Sequence, residues 1–316
     1  VGSEMCIRDR SQDSKGFMWF GTRNGLCRYD GYNITRYFHE EEDSTTISHD
    51  FITKLYNDSC RNVLWISTEQ GVCKYNPQNE QFTRYHIEEN NKNNVCFLNT
   101  SDNRFLAGCS NGIYQYDESK DCFIPFILCE GKGENIRGLV EDSNGSLWIS
   151  NNKGLKRYNL KNRQFEPLPL PMRPFLKKNI RLSLLSDNQL LFNTPQEVFV
   201  YNINNDSLYP LTTIKEIRQL RCATTDSQNN IWLGTENGIF IYDQTFRLIT
   251  RYQQSESDLS NLNDSPIYSL FEDYNHNMWV GTYFGGVNYF IYASDQFRIY
   301  PCLLYTSDAA DDLIGV

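Results

Sequence analysis

Residues 13–32 read DSKGFMWFGTRNGLCRYDGY. Their polar and apolar positions divide into a polar turn, an apolar run around Trp19, a Gly21-Thr22 stop with a turn at Asn24-Gly25, and a second run ending at Tyr29-Asp30. β-Branched and aromatic residues fill the runs and Gly and Asn supply the turns, so the stretch predicts two paired strands. One such hairpin is marginal alone. Six further copies follow, centred on Trp65, Leu106, Trp148, Leu191, Trp232 and Trp279, at intervals of 41 to 47 residues. Strand-rich repeats of that period predict a propeller with four strands per blade. The expected fold class is all-β, a seven-bladed β-propeller of four-stranded antiparallel blades.

An apolar run that ends in the acidic turn precedes each later copy. Innermost strands are expected at 52–57, 95–99, 136–141, 180–185, 217–223 and 267–272. The Trp marks the second strand, the Tyr ends the third, and a later aromatic such as Phe82, Phe123, Phe165 or Phe297 marks the outer one. In the first blade the outer strand falls at 34–38, and the innermost would have to lie just before Asp13, where few native residues remain. That blade is expected to lack its innermost strand. The ring then has no usual borrowed-strand closure, and its closing edge is expected to be its weakest part.

The two ends leave the pattern. Residues 1–10 (VGSEMCIRDR) and 302 to about 312 (CLLYTSDAADD) resemble translated sequencing-adapter read-through. Segments 1–10 and 302–316 are therefore read as non-native, flanking a propeller at 11–301. With such ends, the lack of a leader or membrane anchor carries no information. No run of 18 apolar residues occurs, so no membrane span is read in this stretch.

Alternating strand direction puts the first-to-second and third-to-outer turns on one face of the disc, and the second-to-third and outer-to-first connections on the other. The first face carries short Asp/Asn/Gly turns, read as structural and not as calcium loops. The second face varies: its turns hold Arg23 and Asn24, Glu69 and Gln70, Asn111, Asn152 and Lys153, Glu236 and Asn237, and Tyr283 and Phe284. Its longer loops run over 39–50, 167–179 and 253–266. A repeated scaffold with unrepeated loops places candidate ligand contacts there, with simple drift as the alternative. Trp19, Trp65, Trp148, Trp232 and Trp279 sit mid-strand, which favours inter-blade packing over a sugar platform.

Aromatics make up 14% of the chain, which suits blades packed face to face through large flat side chains. Net charge is −9 and no run of basic residues interleaved with aromatics appears, so nucleic acid is not expected as a partner. Of the ten cysteines, eight lie within the repeats without C-x-x-C spacing, and the four histidines are scattered. A zinc site is therefore not expected, the cysteines read as small buried hydrophobes, and a disulfide stays open in an oxidising compartment. No Gly-x-Ser-x-Gly, His-Glu-x-x-His or phosphate-binding Gly-rich loop occurs, so neither catalytic residues nor a cofactor are assigned. A pair of carboxylates from different blades remains open.

The phrases GFMWFGTRNGLCRYDGY and LWISTEQGVCKYN, with the closing VGTYFGGVN at 280–288, resemble the two-component-regulator propeller repeats of the extracytoplasmic sensor region of hybrid two-component systems in gut Bacteroidota. Repeats three and five depart from that pattern at Leu106 and Leu191, and Glu197 replaces the turn glycine of the fifth. The resemblance implies a periplasmic module of an inner-membrane receptor, one of two successive propellers. An immunoglobulin-like domain, a membrane helix, a histidine kinase, a receiver and a DNA-binding domain would follow. It implies oligosaccharide sensing without catalysis by this stretch, with the neighbouring domains and a second copy as partners. A propeller serving only as spacer or dimerisation surface, and a polysaccharide-acting enzyme, are the alternatives.

Overall fold

In the computed structural model the described residues are 7–300 apart from 88–94, 130–133, 179, 187, 195–196, 214–216, 255–261, 263, 283–285 and 293–295. They form seven four-stranded antiparallel sheets, each ordered along the chain from innermost to outer strand. The innermost strands are Asp9–Gln12, Ile52–Asp58, Cys96–Asn99, Ile136–Glu141, Arg181–Ser186, Leu220–Thr225 and Ile267–Glu272. The sixth begins later than the sequence pattern suggests. Arg218 takes a left-handed φ of 61°, and this turns buried Ile217 into the inter-blade core ahead of the strand.

Why these residues form blades is clearest at the acidic turn. The Trp148 indole N–H donates to Asp142 Oδ2 at 2.7 Å, while Asp142 Oδ1 accepts the Asn144 and Ser146 N–H groups at 3.0 and 2.9 Å. One carboxylate thus closes the turn and satisfies a buried indole. The same bond joins Trp19 to Asp13, Trp65 to Asp58, Trp232 to Asp226 and Trp279 to Asp273. Blades three and five lose both members of the pair together. Leu106 and Leu191 are buried in place of Trp, Thr100 takes the acid's place against the Arg104 backbone, and the fifth blade tightens its turn to pair Ser186 with Gln189.

Each of these indoles also packs on the next blade. Trp19 lies 4.7 Å from Tyr75, Trp65 4.7 Å from Phe105, Trp148 5.7 Å from Tyr201 and Trp232 5.5 Å from Phe290, measured between ring centroids. Small residues on the second strands let the next inner strand approach. A Cβ on Gly21 would lie 2.5 Å from Ile52 Cγ2.

The first blade is not short. Its innermost strand, Asp9–Gln12, pairs with Met18–Gly21 and is completed by Asp9 and Arg10 of the adapter-like segment. Four residues with free backbone donors and acceptors suffice to pair there, and Ile7 fills the inter-blade position that Ile52, Ile136 and Ile267 fill elsewhere. The seventh blade keeps its own outer strand, Gln296–Tyr300. Closure comes from side chains: Trp279 packs on Phe20 and Tyr29 of the first blade, and Gln12 Oε1 accepts the Tyr274 N–H at 2.9 Å.

Candidate functional site

The turns between second and third strands are built by a hydroxyl. Thr22, Thr68 and Thr235 each donate to the carbonyl of the turn glycine and accept the N–H of Asn24, Gln70 and Asn237 respectively. In the fifth blade Thr194 donates to the Glu197 carbonyl as its counterparts do to glycine, but accepts the N–H of Glu197 itself, so the turn without glycine keeps the bond to that carbonyl. The backbone of this face then ties to the starts of the inner strands: Glu69 N–H to Phe51 O, Asn152 N–H to Asn135 O, and Glu236 N–H to Gln219 O.

Those inner strands begin with a repeated irregularity. In blades two, four, six and seven the ladder slips by one residue directly after the first buried aliphatic, leaving Thr53, Arg137, Arg221 and Tyr268 as the extra residue. A bulge bends the strand and re-aims the bulged side chain. In the other blades the residue that follows the opening aliphatic is Arg8, Cys96 or Arg181, the last two in regular ladder register opposite Gly108 and Asn193. All seven line one cavity of about 640 Å³ at the mouth of the central channel, with Phe51, Lys54 and Asp9 among their neighbours.

This mouth is basic although the chain is acidic. Arg221 pairs with Glu236 and lies 4.9 Å from the Tyr268 ring. Arg8 lies 5.1 Å from the Phe51 ring, and Arg23 covers the same ring at 5.8 Å. Arg181 donates to the Arg221 carbonyl oxygen at 3.3 Å; burial, then the charges of Arg221 and Arg137, hold its guanidinium below its ordinary pKa. Asp9 accepts the Leu55 N–H at 2.9 Å and pairs with Lys54 at 3.4 Å, which raises the Lys54 pKa. Lys54 nevertheless keeps 53% of its side-chain exposure, as expected of a group reaching into a water-accessible channel. Burial pushes the Cys96 and Cys222 thiols up to about 12, so neither offers a thiolate nucleophile near neutral pH.

Of the residues singled out on this face, Arg23, Glu69, Asn152 and Glu236 are joined to the mouth by the contacts above. Lys153 turns instead to Glu134, which also takes Lys156 and the Asn151 amide. Asn24, Gln70, Asn111 and Asn237 belong to the turns themselves, and Tyr283 and Phe284 lie outside the described residues. The five tryptophans are buried away from the channel. The eight described cysteines are free, and among the described residues no three His, Cys, Asp or Glu side chains converge as metal ligands. Sequence reading missed the arginine ring. Its signal was available: each arginine directly follows the aliphatic residue that opens an inner strand.

The fold and this mouth define a seven-bladed propeller with a small-molecule-sized basic opening on its variable face. The sequence model of the two-component regulator propeller matches at 130–153 and 261–284. A curated relative, Histidine kinase P4 of Formosa agariphila, is 44% identical over 46 residues, which is 15% of this chain and 3% of that protein. Among solved structures, the extracellular domain of the hybrid two component system BT3049 from B. thetaiotaomicron superposes with a TM-score of 0.75 at 21% identity. The match covers 90% of this chain and 40% of that one, so the chain spans less than half of that structure's length. Virginiamycin B lyase from Staphylococcus aureus shares the fold with a TM-score of 0.67 at 12% identity, over 94% of each chain.

Proposed function

We propose that this propeller is the ligand-recognising module of an extracytoplasmic sensor, and that it holds a glycan fragment at the channel mouth and relays its presence to a histidine kinase beyond the chain. The observation that carries the reading is the seven-residue ring, one side chain per blade, opening on a cavity of about 640 Å³. That volume suits a small ligand, and the cavity lies on the face where the unrepeated loops gather. Aromatic faces at Phe51 and Tyr268 beside polar and charged groups are the chemistry that sugars use. A periplasmic location follows from the same family reading, which the BT3049 likeness and the histidine kinase match support. Binding is favoured over hydrolysis because a glycosidase needs two carboxylates across its cleft. Among the described residues lining this cavity the one acid is Asp9, already paired with Lys54.

Calorimetry with a panel of glycan fragments tests the reading. Binding that weakens in Arg23→Ala and Glu236→Ala, with unchanged melting temperature, is the expected result. Binding unaffected by either substitution would move the site off this face.

A second reading, contact with a neighbouring domain or a second copy, is favoured by an apolar groove of about 440 Å³ between blades three and four. Leu128, Phe165 and Leu176 on its wall stay half-exposed. Self-association in sedimentation experiments, abolished by Phe165→Asp, would favour it.

A further inference from the structure

The channel mouth changes character with depth. Its rim is polar and aromatic, with the bulged Arg137, Arg221 and Tyr268 beside Phe51. Each further residue along an inner strand lies about 3.3 Å deeper. Two residues beyond Arg221 and Tyr268 come Ala223 and Leu270, and one beyond Arg181 comes Leu182. Ladder register puts these three at one level, opposite the residues that directly follow Trp232, Trp279 and Leu191, and all three line the cavity. Resting on the reading that the mouth is the ligand site, we infer that the end of the ligand that enters carries a methyl group, and that Leu182, Ala223 and Leu270 are the apolar floor that receives it.

The same level is apolar in the blades between. Leu55, Phe97 and Leu139 hold it in blades two, three and four, buried against their own sheets, while Arg10 of the first blade is buried and does not line the cavity. Ala223 and Leu270 are only half-buried, so part of this apolar surface is left to the cavity. Beyond the level lies a second cavity of about 540 Å³, walled by Glu141 and Ser143 and sharing Leu182 and Ser183 with the first. The apolar level is thus the partition between two chambers, and a ligand entering from the variable face ends on it. A hydroxyl pressed there gives up water without gaining a partner, whereas a methyl group gains the transfer free energy of its buried area. Hydroxyls of the same sugar stay one residue higher, level with Lys54 and Arg181. A glycan end offers such a methyl in two forms, the acetyl of an N-acetylhexosamine and the terminal methyl of a deoxyhexose.

The test is calorimetry of the whole chain with three disaccharides of one linkage, ending in N-acetylglucosamine, in a deoxyhexose or in glucose, each repeated with Ala223→Ser and Leu270→Thr. Ala223→Ser changes a half-buried position by one hydroxyl and should melt with the parent, so it carries the test should Leu270→Thr melt earlier. A methyl-bearing sugar bound on the order of tenfold tighter than the glucose one, with a more negative heat-capacity change and a preference that Ala223→Ser reduces, supports the inference and shows which group supplies the methyl. Glucose bound as tightly as both methyl-bearing sugars, and weakened by Arg23→Ala, overturns it and leaves the glycan reading standing. A methyl preference that neither floor substitution reduces also overturns it. Binding of none of the three overturns both.

Discussion

The two faces of the disc treat charge in opposite ways. On the acidic-turn face the carboxylates are satisfied within their own repeat or by the neighbouring blade: Asp142 takes one indole and two backbone N–H groups and is wholly buried, and Asp121 takes Lys74 and Tyr85 of blade two. On the opposite face three arginines are held beside one another with one glutamate among them. Groups that satisfy each other locally contribute to stability, whereas like charges gathered at a water-accessible opening add little to it. Substitutions on the first face should therefore cost stability and spare binding, and those on the second should do the reverse.

Trp148→Ala should show the largest effect, a loss of roughly 3–5 kcal/mol from the cavity left behind, read as a lowered denaturant midpoint. An unchanged midpoint would remove the structural reading of the first face. Asp142→Ala strands the indole and two backbone donors and should cost about 3 kcal/mol. In Trp148→Leu that cost should shrink, because blades three and five already manage with leucine and no acid.

Between the faces lies a position that obeys neither rule. Arg10 is 4% exposed, none of its guanidinium nitrogens has a hydrogen-bond partner, and burial lowers its pKa to about 10. By ladder register it stands where other blades carry Leu55, Leu139 and Leu270. Arg10→Leu should stabilise the chain by roughly 1–3 kcal/mol, seen as a raised melting temperature. A destabilised variant would mean that the guanidinium has a use that the structure does not reveal.

Smaller effects sit on the turn between third and outer strands of blade three. Burial pushes the Asp121 carboxyl up, but hydrogen bonds from Lys74, Tyr116 and Tyr85 outweigh it and hold the pKa at about 2. A depressed carboxylate pKa stabilises fully above the unfolded value of 3.8 and ceases to do so as pH falls towards about 2. Because this side chain is 53% exposed, the acid-sensitive contribution should be at most a few tenths of a kcal/mol. It should vanish from the pH–stability curve of Asp121→Asn. Least of all, Arg181→Gln should raise stability by a few tenths of a kcal/mol, an increment that added salt should erase; a clear loss would show that the arginines hold the mouth together.

Much of the scaffold was legible because its signals are local. The turn acid, the Trp six or seven residues on, the Gly-Thr stop and the Tyr each act within one hairpin, and even the worn copies at Leu106 and Leu191 kept the spacing. The first blade's missing strand was misjudged because residues 9 and 10 were discounted by origin, whereas a backbone pairs whatever its source. The candidate site was half visible. Variation drew attention to the face on which the cavity opens and to Arg23 and Glu236, yet the search for a basic patch looked for neighbouring residues in sequence and found none.

The sequence by itself determined how many blades there are, where each turns, and which residues are satisfied inside their own repeat. Only the tertiary structure decided that Arg137, Arg181 and Arg221 share a wall. Closing the ring brings one position from every blade to a common axis, and a bulge absent from the hydrophobic pattern turns two of these three side chains inward.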